Sequence, residues 1–190
     1  MPEMMDIYDE YHNRTGLTCE RDKIPEGALC MGSVICFITR QGEILLQKRS
    51  GTRVHSGKWD YSAGGGAQVG ETSAENVKRE AYEELGLDIN VDNTALFDVI
   101  ENSGWIVNYY IQECDKSILE KIKPNEEVSE VKFVNTTLFR RMLLTGEFRP
   151  DYNPMVVQKL LSKMQSLEDG ELKRDTLLSN LIWSIGECKR

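Results

Sequence analysis

The hydrophobic pattern changes period along the chain, and the changes mark its organisation. Residues 28–39 are almost continuously apolar and β-favouring, with Val34, Ile35, Phe37 and Ile38 among them, which predicts a buried central strand. Gln41-Gly42 then reads as a turn, with 43–48 as the returning partner. A short strand over 59–63 leads into Gly64-Gly65-Gly66. Further extended segments are expected at 87–91 and 95–101. Asn102-Ser103-Gly104 is a hairpin turn, and in the return strand 105–112 Trp105, Val107 and Tyr109 alternate with Ile106, Asn108 and Tyr110. The charged stretch 114–127 is a loop or short helix, and 129–134 is another strand.

Helical periods appear in the middle and at the end. Thr72 with Glu75 three residues on is a capping-box start, and Gly86 is a left-handed stop. Between them Ala74, Val77, Ala81 and Leu85 form one apolar stripe of a short helix. Residues 136–144 predict a second helix stopped by Gly146, and Asn153-Pro154 heads a third that runs to about Met164. After Asp169-Gly170, Leu177, Leu178, Leu181, Ile182 and Ile185 recur at helical spacing, on a segment that packs back on the domain or covers a second subunit. At the other end, 1–27 is polar, with Ile7, Tyr8 and Tyr11 as packing points. It predicts a strand over 6–10, a turn at Thr15-Gly16 and a break at Pro25-Glu26-Gly27.

With 190 residues, 40% of them hydrophobic and 28% charged, the chain suits one good core and not two. A net charge of −8 argues against nonspecific binding to nucleic acid or to an acidic membrane, which need basic surface. Five cysteines without metal-ligand spacing, an odd count, and no membrane-length apolar run or signal segment predict a cytoplasmic protein. On that reading, the Asn13-Arg14-Thr15 and Asn135-Thr136-Thr137 glycosylation patterns are chance matches.

The candidate chemistry sits on the middle helix. Glu80, Glu83 and Glu84 are related by i,i+3 and i,i+4 spacing, so their carboxylates share one strip at the border of the apolar stripe. Like charges at the edge of a core repel and are costly to desolvate, and a hard divalent cation such as Mg²⁺ removes that cost. The plainer alternative is a solvated acidic face supported by Glu75–Arg79 and Arg79–Glu83 pairs. Gly64, Gly65 and Gly66 require either a tight turn or a close approach of something to the backbone. In the loop 49–58, Arg49, Arg53, His55 and Lys58 concentrate positive charge on an acidic chain. Arg49, Arg53 and Lys58 are candidates for substrate phosphate, or else the loop is simply solvated. His55 reads as an ordinary loop histidine. Trp105 and Tyr109 either stack a ring or pack in the core.

From Gly65 to Leu87 the chain reads GGAQVGETSAENVKREAYEELGL, with Glu71, Arg79-Glu80, Glu83-Glu84 and Gly86 at fixed offsets over 23 residues. This stretch resembles the signature box of the Nudix hydrolase superfamily at every fixed position. The flanks 45–50, 57–63 and 127–134 resemble the strands around that box. Residues 1–27 resemble the N-terminal extension of Nudix proteins related to isopentenyl diphosphate isomerase. The resemblance implies an α/β (α+β) protein of Nudix fold, a mixed β-sheet between helices with extra C-terminal helices. It divides the chain into an extension over 1–27, the domain over 28–150 and a helical extension over 151–190. It implies Glu80, Glu83 and Glu84 as ligands of Mg²⁺ (Mn²⁺ possible), helped by the Gly64 carbonyl. Glu80 or a loop carboxylate, Glu126 or Glu127, is then the general base, with Glu71 and Arg79 shaping the site. The implied function is hydrolysis of a diphosphate linkage in a nucleoside diphosphate derivative or a related small organic diphosphate, by a monomer or a homodimer. Two alternatives stand beside it: an isomerase, whose cysteine and histidine would fall on Gly64 and Gly66, and a non-catalytic nucleotide-binding module, whose usual mark is a damaged box.

Overall fold

The computed structural model describes residues 2–21, 23–51 and 54–187, with side chains left out at 93, 102 and 174–187. Its centre is β3 (Cys30–Thr39). Two hairpin strands, β1 (Met4–Tyr8) and β2 (Arg14–Glu20), form a separate two-stranded sheet. The main sheet adds β4 (Ile44–Arg49), β5 (Trp59–Asp60), β6 (Ala63–Gly66), β7 (Ala95–Asn102), β8 (Trp105–Cys114) and β9 (Val128–Val134). Along one edge β3 pairs in parallel with β8 from Cys30↔Trp105 to Thr39↔Cys114. Along the other it pairs with β6 over Gly32–Ile35 and with β4 at Ile38↔Ile44.

The split between β6 and β4 explains why 59–63 is two strands. β5 ladders onto β4, and the chain then crosses to β3 as β6. At the crossing the Phe37 N–H donates to the Ser62 hydroxyl, which donates to the Leu45 carbonyl, so the interrupted ladder leaves neither group orphaned.

Alternation along β3 sends its side chains to two cores. Ile35 and Phe37 meet Val77, Ala81 and Leu85 of α1 (Ser73–Leu85). Cys36 and Ile38 lie in the other core, with Phe139 and Met142 of α2 (Thr136–Leu144) and Val156, Leu160 and Met164 of α3 (Pro154–Glu187). The sheet therefore lies between helices, as expected.

Four other expectations change. The N-terminal turn falls at Asp9–Asn13, because the Asp9 carboxylate accepts from the N–H groups of Tyr11 and Asn13; Thr15-Gly16 lies inside β2. Leu87 and Ile89 are buried without forming a strand, and the segment closes in a 3₁₀ turn, Val91–Asn93, capped by Asn90. Gly64-Gly65-Gly66 belongs to β6 and makes no turn. The helix from Pro154 runs through Asp169-Gly170 without a stop, since Gly170 does not take the left-handed conformation that ends α1 at Gly86. Packing along 156–167 carries it past a residue that costs a helix only about 1 kcal/mol. The contacts of Leu177, Leu178, Leu181, Ile182 and Ile185 lie outside the described side chains, so the choice between packing back and covering a second subunit does too. No helix among the described residues is long and apolar enough to cross a membrane.

Candidate active site

α1 is set by its ends. The Thr72 hydroxyl accepts from the Glu75 N–H at 3.2 Å, the Glu75 carboxylate accepts from the Thr72 N–H at 2.8 Å, and Gly86 closes the helix at φ 69°. With the rotation so fixed, Val77, Ala81 and Leu85 face the sheet, and Glu80 and Glu84 follow them inward with 7% and 6% of their surface exposed. Glu83 points outward.

The glycines permit this burial. A Cβ on Gly65 would lie 2.4 Å from Glu80 Oε1, and one on Gly64 would lie 2.6 Å from the Ser33 carbonyl. None of Gly64, Gly65 and Gly66 has a positive φ, so close approach is what requires them. Asn76, a buried residue that the apolar stripe does not show, donates from Nδ2 to the Gly66 carbonyl at 2.9 Å and ties the helix to the same strand.

Arg79 is the hub. Its guanidinium donates to Glu71 Oε1 at 2.7 Å and Oε2 at 3.1 Å, to the Gly66 carbonyl at 2.8 Å, to Glu80 Oε1 at 2.9 Å and to Glu83 Oε2 at 2.8 Å. Burial pulls its pKa down, but the bonds to Glu71 and the charges of Glu80, Glu71 and Glu83 outweigh it and leave the group above its usual value. Glu80 is raised by burial, with Arg79 opposing. Glu84 is pushed up to about 8, by burial and then by the Glu80 charge, although Gly64 N–H and Gln47 Nε2 each donate to its Oε2 at 2.9 Å.

These side chains suit a divalent cation. Burial disfavours the charged form of both carboxylates, only Glu80 having a guanidinium against it, and Gln47 Oε1 beside them is a buried acceptor without a donor among the described residues. Among the described residues no three acidic, histidine or cysteine side chains already converge as ligands. Arg79 draws Glu80 and Glu83 to itself, while Gln47 and Gly64 hold Glu84. Gly64 meets the cluster here through its N–H.

Glu80, Glu84 and the three glycines line a cleft of about 740 Å³. Of the expected phosphate-binding cations, Arg49 lines it, donating to Asp60 Oδ2 and the Val54 carbonyl, both at 2.7 Å. Lys58 does not: its ammonium donates to the Gly146 carbonyl at 2.6 Å. Arg53 lies outside the described residues. Glu127 lines the cleft and Glu126 does not, and Trp105 and Tyr109 both do. Tyr109 also packs edge-on to Tyr61, centroids 5.7 Å apart, so it serves core and cleft together.

Sequence reasoning missed two other walls. One is the link between α2 and α3, with Arg149, Asp151 and Tyr152. Arg149 donates to Asp60 Oδ2 at 3.0 Å and to both oxygens of Asp151, and that hydrogen bonding holds the Asp151 carboxyl down at about 2. Backbone bonds from Trp59 N to the Glu147 carbonyl and from Arg149 N to the Trp59 carbonyl seat the link on β5. The other wall is the hairpin, with Glu3, Glu20 and Arg21. A signal existed only for the first, as a charged Arg-Pro-Asp between two helical patterns, and nothing local points it at β5.

A family model described as the NUDIX domain matches residues 31–155. A Nudix hydrolase of Listeria innocua is 32% identical over 151 residues, covering 78% of this chain and 89% of its own. An isopentenyl-diphosphate Delta-isomerase of Photorhabdus laumondii is 27% identical over 183 residues, 92% of this chain and 99% of its own. Among solved structures, a Deinococcus radiodurans protein superposes with a TM-score of 0.65 at 20% identity, over 77% of this chain and 91% of that one, a likeness of fold.

Proposed function

The chain belongs to the Nudix hydrolase family, and on that premise we propose that it is a divalent-metal-dependent enzyme cleaving the diphosphate linkage of a nucleoside diphosphate derivative or a related small organic diphosphate. The observation that carries this reading is the pair Glu80–Glu84, buried against a glycine strand at the wall of a cleft, with burial raising the pKa of both. Glu80, Glu83 and Glu84 would hold the ion, Mg²⁺ or Mn²⁺, with Gly64 at the edge of the set. Once bound, it supplies positive charge to phosphoryl oxygens and lowers the pKa of a water.

The remaining work falls to this chain's own groups. Arg79, fixed by Glu71 and the Gly66 carbonyl, keeps the carboxylates turned to the cleft. A carboxylate that lines the cleft, Glu80 or Glu127, accepts the proton of the attacking water. Arg49 and Arg53 offer charge to phosphate, whereas Lys58 stands aside from the cleft. We read 28–150 as the catalytic domain, with 1–27 and 151–190 as its extensions, in a cytoplasmic protein.

The isomerase relative makes an alkene-protonating activity the second reading. Gly64 and Gly66 carry no side chain to move a proton, and no cysteine among the described residues lines the cleft. A screen of nucleotide and organic diphosphates with Mg²⁺ or Mn²⁺, reading monophosphate and phosphate release, tests both, with isopentenyl diphosphate in the panel and Glu84→Gln as the blank. Metal-dependent release that disappears in the blank is the expected result. Conversion of isopentenyl diphosphate without release would overturn it.

A further inference from the structure

Three arginines line the cleft among the described residues, and they are held differently. Arg49 and Arg149 are tied to the buried Asp60, and Arg149 to Asp151 as well. Arg21 follows β2 and, among the described residues, makes one side-chain ion pair, from Nη1 to Glu3 Oε2 at 2.7 Å. A backbone bond from Arg21 N to the Glu3 carbonyl at 2.9 Å places the two residues side by side. The Arg21 side chain is 33% exposed, and it lines the cleft beside Gly65, Gly66 and Glu80, near enough for its charge to be felt at Glu80.

The hairpin that carries Arg21 is anchored to the site. Asp6 Oδ2 accepts from Gly70 N–H at 2.8 Å, the Met4 carbonyl accepts from Val69 N–H at 3.1 Å, and the Arg14 guanidinium donates to the Glu71 carbonyl. The fully buried Met5 closes on Gly66, where an added Cβ would lie 3.0 Å from its Cε. These contacts grip the segment joining β6 to α1, so the hairpin and the carboxylate helix share one frame. The hairpin and Arg21 precede the 31–155 that match the family domain.

We propose that Arg21 is a substrate-binding residue supplied by this N-terminal hairpin: held in place by Glu3, its guanidinium takes phosphoryl oxygens of the diphosphate at the Glu80 end of the cleft. A planar guanidinium offers paired donors to such oxygens, and one Glu3 bond leaves the others to the ligand. The inference rests on the diphosphate reading given above, and it deepens that reading by locating an anchor outside the family's own domain.

The test is direct titration of inorganic pyrophosphate by calorimetry, with and without Mg²⁺, beside steady-state kinetics on whichever diphosphate the screen identifies. In Arg21→Ala the pyrophosphate Kd and the substrate KM are expected to rise about tenfold or more, with kcat within about threefold of the parent. Arg21→Lys should recover part of the loss as a point charge. Arg21→Gln, which keeps a hydrogen bond to Glu3 without the charge, carries the same expectation as Arg21→Ala should the latter fail to fold. Pyrophosphate binding that depends on Arg21 in a chain that hydrolyses nothing would keep the anchor and remove the hydrolase reading. Affinity and KM within twofold of the parent in a folded Arg21→Ala or Arg21→Gln, or no pyrophosphate binding by the parent, would overturn the proposal.

Discussion

Two clusters of charge face the same cleft on opposite plans. Around Arg79, one guanidinium serves Glu71, Glu80 and Glu83, with Glu84 a helical turn from Glu80. Around Asp60, two guanidiniums, Arg49 and Arg149, share one buried carboxylate, and Asp151 completes the balance. The consequences for the acids are opposite. Glu84 is pushed up to about 8, while Asp151 is held down at about 2. A balanced cluster has little to offer an incoming ligand and acts as a clamp, seating residues 147–151 on β5. In the unbalanced cluster burial disfavours the charged form of Glu84 at the cleft wall, and the divalent cation of the proposed function would reverse that preference. On the proposed reading, the carboxylates that the protein leaves uncompensated are the ones that do the chemistry.

The largest effect separating the two clusters is expected from Glu84→Gln. The neutral amide keeps the shape and removes a carboxylate, so kcat in saturating Mg²⁺ should fall by about a thousandfold, while the melting temperature stays level or rises. Near-normal turnover in that variant would place the chemistry elsewhere. Gly65→Ala comes next. Its methyl would meet Glu80 Oε1 at 2.4 Å, so the carboxylate must shift. Activity is expected to drop about a hundredfold and urea unfolding to show a loss of about 1–3 kcal/mol.

Arg149→Met turns the comparison round. It leaves Asp60, 4% exposed, with Arg49 alone. Stability should fall by about 3 kcal/mol, with kcat reduced less than about threefold; a collapse of kcat at unchanged stability would mean that the clamp is catalytic. The smallest effect is Asp151→Asn read against pH. Hydrogen bonding from Arg149 lowers the folded-state pKa of Asp151 to about 2, below the usual 3.8 of an aspartate. Its contribution to stability is therefore complete above the unfolded value and disappears as pH falls through the folded one. The melting temperatures of parent and variant should converge as acid is added between those values. A constant gap throughout would show that the pair contributes nothing to stability.

How far the site could be read from sequence followed the range of the interactions involved. Thr72, Glu75 and Gly86 act within a turn of their own positions, so the ends of α1 were legible. Glu80, Glu83 and Glu84 followed as neighbours within one turn, with Arg79 bound to two of them, although Glu80 and Glu84 face inward and Glu83 outward. The continuous apolar run of β3 likewise announced a strand buried on both faces. The glycine triplet was ambiguous, because a turn and a close approach both call for glycine and only the distance to Glu80 separates them. At Gly170 local propensity suggested a stop, and packing of the preceding turns on α2 and the sheet carried the helix through.

By itself, then, the sequence determined the helix that carries the carboxylates, the residues that begin and end it, and the family to which that pattern belongs. Tertiary structure alone decided which other walls the cleft would have. Asp60 and Arg149 stand 89 positions apart, and Arg14 reaches the Glu71 carbonyl from 57 positions away. Such pairings are selected by how β5, the hairpin and the α2–α3 link dock on the sheet. No short-range propensity encodes that docking, because its energy comes from burial and hydrogen bonding between segments that meet only once the core has formed.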